Sequence, residues 1–334
     1  MSRAGLLLTV GDPFILNLWL EYYEKIWCKE VNKIYVVLDN REDSNIPNIN
    51  SYLNDLFRKY PNIEVAESGG MGIGNAITKS FQICKEDNYV LLNDDCIIFR
   101  PYALDYHFSQ IEKNKFDAVG SPLRNYTPVE VDKELQTIFS YSELENEFLQ
   151  RYGYAFWQNL FFGKTSDALK TDLDMDVKTF KQGEFLPQLK TSFATDTGVD
   201  VFVSFSWQLR RMGLRFDYIK QGHTTPQDVY RYIIMEEIFS GNYSWVHIGN
   251  MSTLTVYLRQ GWENRQASQS ETEEYQRKFA WWEIMMERYP NIEKDIPSYV
   301  KVQKEVLSKI KSNLSLKQQE VDKLKFVYRR LLGI

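Results

Sequence analysis

Cysteine is scarce in this chain. Its 334 residues hold three, Cys28, Cys84 and Cys96, with no CxxC pair among them. That leaves no even disulfide framework, and the thiols read as small core residues suited to a reducing compartment. A basic excess is missing as well. Forty Lys and Arg stand against 45 Asp and Glu, a net charge of −5, where a dedicated nucleic-acid binder would carry a basic patch or stripe. No run of 18 apolar residues occurs, so no membrane-spanning helix is expected. The opening "MSRAGLLLTV" is too short for the apolar part of a signal peptide and reads as a first strand. The expected location is cytoplasmic, free or peripheral to the inner face of a membrane. Internal repeats and low-complexity segments are also absent.

What is present is the composition of a globular protein with a real core. Hydrophobic residues make up 43%, charged residues 25% and aromatics 15%. Strand-like and helix-like segments alternate over the first hundred residues: "GLLLTV" (5–10), a helix over 14–30, "KIYVVLDN" (33–40), a helix over 49–60, "NIEVAE" (62–67), a helix over 75–86, then "YVLLNDDCIIF" (89–99). Near-continuous apolar strands between helices predict an α/β fold with a mostly parallel sheet covered on both faces. Further on, "DAVGSPL" and "QNLFFG" read as strands, while "TIFSYSELENEFLQRY" and "DVFVSFSWQLRRMG" read as helices. From about residue 265 the chain is helical and charged, with breaks at Pro290 and Pro297. The expected division is 1–125, 126–262 and a helical C-terminal extension over 263–334.

In an open α/β sheet, ligands bind outside the carboxyl ends of the strands. Asp12 follows the first strand, Asp39 the second, and Asp94 with Asp95 the fourth. One acidic residue at a strand end is ordinarily a turn former or a helix cap; three strand ends so equipped point to a ligand. Adjacent carboxylates repel one another unless a cation lies between them, and hard oxygen ligands select Mg²⁺ or Mn²⁺. The apolar flanks of the pair place it on a rigid strand. The structural alternative has Asp94 capping a helix near Tyr102 and Asp95 pairing with Arg100. "ESGGMGIGNAI" (67–77) is a glycine-rich loop opening into a helix, where backbone N–H groups favour phosphate. It is neither a P-loop nor an exact GxGxxG, and a plain turn explains it equally well.

Taken in order, the polar turn after the first strand, Asp39, "GGMGIGNA" and "LLNDDCIIF" resemble a GT-A-type, DxD-containing nucleotide-sugar glycosyltransferase. The resemblance covers roughly residues 5–100 and, more weakly, 185–252. It implies a GT-A-like, Rossmann-type sheet, with a nucleotide-sugar-binding half over 1–125 and an acceptor-binding and catalytic half over 126–262. It further implies that Val10, Asp12, Asp39, Gly70, Gly72, Asn75, Asn93 and Asp94 lie against the donor. Asn93-Asp94-Asp95 departs from a strict DxD, which makes Asp95 the direct ligand of Mn²⁺ or Mg²⁺. A late histidine, His247 in "SWVHIGNMS", is the further metal ligand implied, with His223 a competitor and His107 structural; for any one histidine a structural role is the alternative. "SFATDTGVDVFVSFSWQLRRMG" resembles the segment that carries the catalytic carboxylate of inverting members. Asp196 is favoured there and Asp200 competes, although an N-cap accounts for either.

The implied partners are a nucleotide-sugar donor and a glycan or lipid-linked saccharide acceptor, with no nucleic acid. "YGYAFWQNLFFGK" (152–164) sets Gln158, Asn159 and Lys164 among aromatics, a composition suited to sugars and equally to an aromatic core strand. The basic amphipathic stretch from 313 suits an anionic membrane surface, its own domain, or a second copy in a homo-oligomer. A sugar nucleotidyltransferase and a non-catalytic glycan- or nucleotide-binding scaffold remain the other readings. The first loop, "TVGDPF", lacks the basic glycine-rich signature that a nucleotidyltransferase uses for a triphosphate.

Overall fold

A computed structural model of the chain describes residues 1–9, 12–39, 49–69, 72–122, 156–173, 201–219, 269–314 and 316–333. It also describes short pieces at 175, 178–180, 185–186, 191–192, 197–199, 221–223, 234–238 and 242–247. The expected helix at "TIFSYSELENEFLQRY" and the junctions expected at residues 125 and 262 lie outside the described residues.

The first half alternates as its sequence predicts. Strand β1 (Arg3–Thr9) leads to α1 (Pro13–Tyr22), then β2 (Lys33–Leu38), α2 (Ile49–Arg58), β3 (Ile63–Glu67), α3 (Ile73–Ile83) and β4 (Asn88–Asn93). Asp12 starts α1: its Oδ1 accepts from the N–H groups of Phe14 at 2.9 Å and Ile15 at 3.2 Å, with Pro13 in the first turn. The segment expected as one helix over 14–30 passes through a π-helical turn at Tyr23–Trp27 before Cys28–Glu30. The run "YVLLNDDCIIF", expected as one rigid strand, is two. It breaks at a turn on Asp94 and Asp95, and β5 (Cys96–Ile98) leaves for a second sheet.

The chain continues through α4 (Pro101–Glu112), β6 (Ala118–Pro122), β7 (Phe156–Lys164), α5 (Val203–Arg211) and β8 (Phe216–Tyr218). The main sheet has seven strands in the order β8-β6-β7-β4-β1-β2-β3. β7 runs antiparallel to both of its neighbours, and every other pairing in this sheet is parallel. Side chains alternate between two cores, one on each face. Ile34, Val36, Val90 and Leu92 point to the side of α1, α2 and α4; Tyr35, Val37, Tyr89 and Leu91 point to α3 and α5. Burial on both faces is why these strands read as unbroken apolar runs. Gly120 of β6 is required by close approach, since a Cβ there would lie 2.4 Å from the Phe161 ring and 2.7 Å from that of Phe156.

The smaller antiparallel sheet joins β9 (Gln221–His223), β10 (Ile234–Ile238), β11 (Asn242–His247) and β5. Helices α6 (Gln269–Arg288), α7 (Pro297–Leu314) and α8 (Gln318–Leu332) complete the chain. Their apolar residues, among them Trp281, Tyr299, Leu307 and Leu324, belong to the same core as those of α1. Three apolar residues of α8, Val321, Leu324 and Tyr328, are buried, with Tyr328 meeting Trp281 edge-on at 5.8 Å, while Phe326 of the same helix is exposed. Lys325 pairs with Glu283 and Glu287 of α6, both at 2.9 Å, and Arg329 with Glu287. Among the described residues, no helix is long and apolar enough to cross a membrane.

Candidate functional site

The strand order reverses direction between β1 and β4. From β1 the chain proceeds outward to β2 and β3, then returns to lay β4 on the other side of β1. A ligand crevice opens at such a switch point, beyond the carboxyl ends of the strands. Several of the residues singled out from the sequence stand there.

Asp94 and Asp95 form the turn at the end of β4 and are 3% and 6% exposed. Two adjacent carboxylates this deeply buried are costly unless compensated. Asp94 does not cap α4, whose N-cap is Arg100 with no side-chain cap bond. Asp39, at the end of β2, is 4% exposed; its Oδ1 accepts from the Ser68 hydroxyl at 2.7 Å and from the Gly72 N–H at 3.2 Å. It therefore ties the glycine-rich loop to the sheet. Gly72, at φ 93°, occupies a conformation that side chains resist, and it stands at the N-cap of α3 with Asn75 in the first turn of that helix.

Asp12 caps α1 and also accepts a hydrogen bond from the Tyr299 hydroxyl of α7. Burial pushes its carboxyl up to about 6, against the lowering effect of the bonds from Ile15, Tyr299 and Phe14. Tyr299 is itself buried. Its hydroxyl is pushed well above its ordinary range, first by burial and then by the Asp12 and Asp94 carboxylates. Sequence reasoning missed Tyr299; nothing local in "PSYVKV" announces contact with a residue nearly three hundred positions earlier. Asn159, one of the polar residues set among the aromatics of 152–164, lies against β4, where its Oδ1 accepts from the Asn93 N–H at 3.0 Å.

The backbone of His247 stands opposite Cys96 in the β11–β5 pairing, one residue from Asp95. His223 pairs with Ile234 at the far side of that sheet. His107, read as structural, is buried in α4 with its ring 4.9 Å from that of Phe162. Val10, Gly70, Asp196 and Asp200 lie outside the described residues; the last two flank a short strand, Thr197–Val199, paired with Lys178–Phe180. Among the described residues, no group of three His, Cys, Asp or Glu side chains converges as a metal cage. Asp94 and Asp95 offer the oxygen donors that Mg²⁺ and Mn²⁺ accept, and such ions usually take one or two protein carboxylates plus phosphate oxygens.

No protein-family model matches the chain, and no curated protein matches it significantly. Solved structures resemble it at low identity. Residues 1–349 of TarS from S. aureus share 12% identity, with 99% of this chain and 92% of that one covered and a TM-score of 0.43. The mannosyltransferase PcManGT from Pyrobaculum calidifontis, solved with GDP-Man and Mn²⁺, shares 10%, with 100% and 81% covered and a TM-score of 0.43. The bifunctional IspDF from Campylobacter jejuni shares 15%, with 67% of this chain and 50% of that one covered and a TM-score of 0.37. At these scores the likeness assigns no role to any residue.

Proposed function

We propose that the chain is a cation-dependent glycosyltransferase that binds a nucleotide-sugar across the carboxyl ends of β1, β2 and β4. The observation that carries this reading is the buried Asp94–Asp95 turn at the point where the strand order reverses. Asp39 and the loop it fastens at Gly72 lie at the next strand end but one, on the side proposed for the nucleoside. N–H groups at the start of α3 suit the diphosphate.

Asp95, with Asp94 beside it and His247 as a further donor, would hold Mn²⁺ or Mg²⁺; the ion supplies Lewis-acid neutralisation of a departing diphosphate. The chain's own task is to orient the donor and to take the acceptor's hydroxyl proton. Asp196 is proposed as that base, with Asp200 as the competing carboxylate, and general-base catalysis of this kind contributes roughly 10²–10⁴-fold. The acceptor proposed is a glycan or lipid-linked saccharide. The halves at 1–125 and 126–262 and the extension over 263–334 belong to the same proposal.

Calorimetric titration of UDP, GDP, CDP and dTDP with Mn²⁺, then with EDTA, tests it. One nucleotide should bind with metal, and Asp95→Ala should weaken it by about a hundredfold or more. Binding by none of the four to folded protein would sink the reading. Turnover of a nucleoside triphosphate with a sugar phosphate would replace it with a nucleotidyltransferase.

A further inference from the structure

We infer that Asn93 and Asn159 form a subsite for a single hydroxyl group of the transferred sugar. This rests on the glycosyltransferase reading and adds a place where that enzyme would sense its sugar.

Strand β7 pairs with β4 from Asn88↔Lys164 as far as Leu91↔Phe161, and there the ladder stops. The next residue back along β7, Leu160, has φ 58°, a left-handed conformation that a side-chain-bearing residue resists. Strained backbone of this kind persists where surrounding structure holds it, and it gathers at ligand sites. On the other side of β7 the register with β6 also shifts, between Gly120 and Pro122. Beyond the kink, the Asn93 N–H is met by the side chain of Asn159 rather than by its backbone, at 3.0 Å.

That bond leaves two polar atoms over. Asn159 is fully buried, yet its Nδ2 has no hydrogen-bond partner; the buried Oδ1 of Asn93 has none either. Native proteins keep few such groups, because each forfeits its hydrogen bonds to water with nothing in return. Gln158 Oε1 and Ser121 Oγ, at the same edge of the sheet, are buried and unmatched too.

The chemistry of the pair is selective. Nδ2 needs an acceptor and Oδ1 needs a donor, on two residues already joined by a hydrogen bond. A phosphate oxygen would satisfy only the first and an ammonium only the second, whereas a hydroxyl satisfies both. Asn93 is also the residue immediately before Asp94 and is only partly buried, so the pair adjoins the proposed diphosphate position.

The test compares each nucleotide-sugar with its own nucleoside diphosphate. The dissociation constants of UDP-glucose, UDP-N-acetylglucosamine and GDP-mannose, and of UDP and GDP, are measured with Mn²⁺ on wild type, Asn93→Ala and Asn159→Asp. Asn93→Ala removes Oδ1 and keeps the backbone N–H bond; Asn159→Asp keeps the acceptor for that N–H and removes Nδ2. Thermal melts establish which variants fold. The affinity gained from the sugar, read as the ratio of each nucleotide-sugar's dissociation constant to that of its own diphosphate, should fall about tenfold in a folded variant. An unchanged sugar-dependent gain, or none in wild type, would mean that the pair holds an ordered water only and would overturn the subsite. Failure of wild type to bind any of the five compounds, or CDP or dTDP, would overturn the glycosyltransferase reading and the subsite with it.

Discussion

At the amino ends of the parallel strands, charges meet opposite charges. Arg3 reaches Glu112 at 2.6 Å, Asp105 at 3.0 Å and Glu30 at 3.8 Å. Lys33 pairs with Glu64 at 3.4 Å, while Asp117 is held by Arg215 at 3.0 Å and Lys164 at 3.3 Å. At the carboxyl ends, Asp12 accepts from two backbone N–H groups and the Tyr299 hydroxyl, and Asp39 accepts from a serine hydroxyl and a glycine N–H. Hydrogen bonds from neutral donors fix the position of a carboxylate. Ion pairs thus tie down one edge of the sheet, and the other is the edge proposed for the ligand.

Substitutions at the two edges should therefore separate. Arg3→Ala takes the guanidinium from three carboxylates, one of them, Glu112, partly buried with it. It should cost about 1–3 kcal/mol in a urea melt and leave nucleotide affinity unchanged; a shared loss of affinity would break the contrast. Gly72→Ala should show the reverse balance. A side chain at φ 93° and ψ 171°, backbone essentially confined to glycine, costs on the order of 1–3 kcal/mol, and a displaced loop should weaken nucleotide binding roughly tenfold by calorimetry. The smallest effect is one of pH. Burial tends to raise the Asp117 carboxyl, but bonds from Arg215 and Lys164 outweigh it and bring the group down to about 2, from 3.8 ordinarily. A depressed carboxyl stabilises the fold above its unfolded value and loses that contribution as pH falls through the folded one. Melts of Asp117→Asn against wild type should differ by about 1 kcal/mol at pH 6, after allowance for solvent screening, and converge near pH 2.

Much of the parallel sheet was legible because β1, β2 and β4 are buried on both faces and so read as continuous apolar runs between helices. Asp12 was legible as a cap, standing directly before Pro13 and an apolar helix. What could not be read locally depends on distant pairing. The sequence places Asp94 and Asp95 within one apolar run; only the pairing of Cys96 with His247 divides that run between two sheets. The acidic partners of Lys325 and Arg329 on α8, Glu283 and Glu287, lie about forty residues earlier and are not announced locally. Asn159 looked like one polar residue in an aromatic strand until β7 was set antiparallel beside β4. Tyr299 enters the site through the packing of α7 on α1, where its ring lies 5.8 Å from that of Phe14.

The central claim, that the ligand sits at the carboxyl ends of the strands, is tested most directly by backbone hydrogen exchange. Exchange is followed with and without Mn²⁺ and the nucleotide that binds. Slower exchange is predicted at Gly72–Asn75 and Asn93–Cys96, with no change at Ser2–Ala4 or Lys33–Ile34. Protection confined to the amino ends or to the C-terminal helices, alongside measured binding, would contradict it.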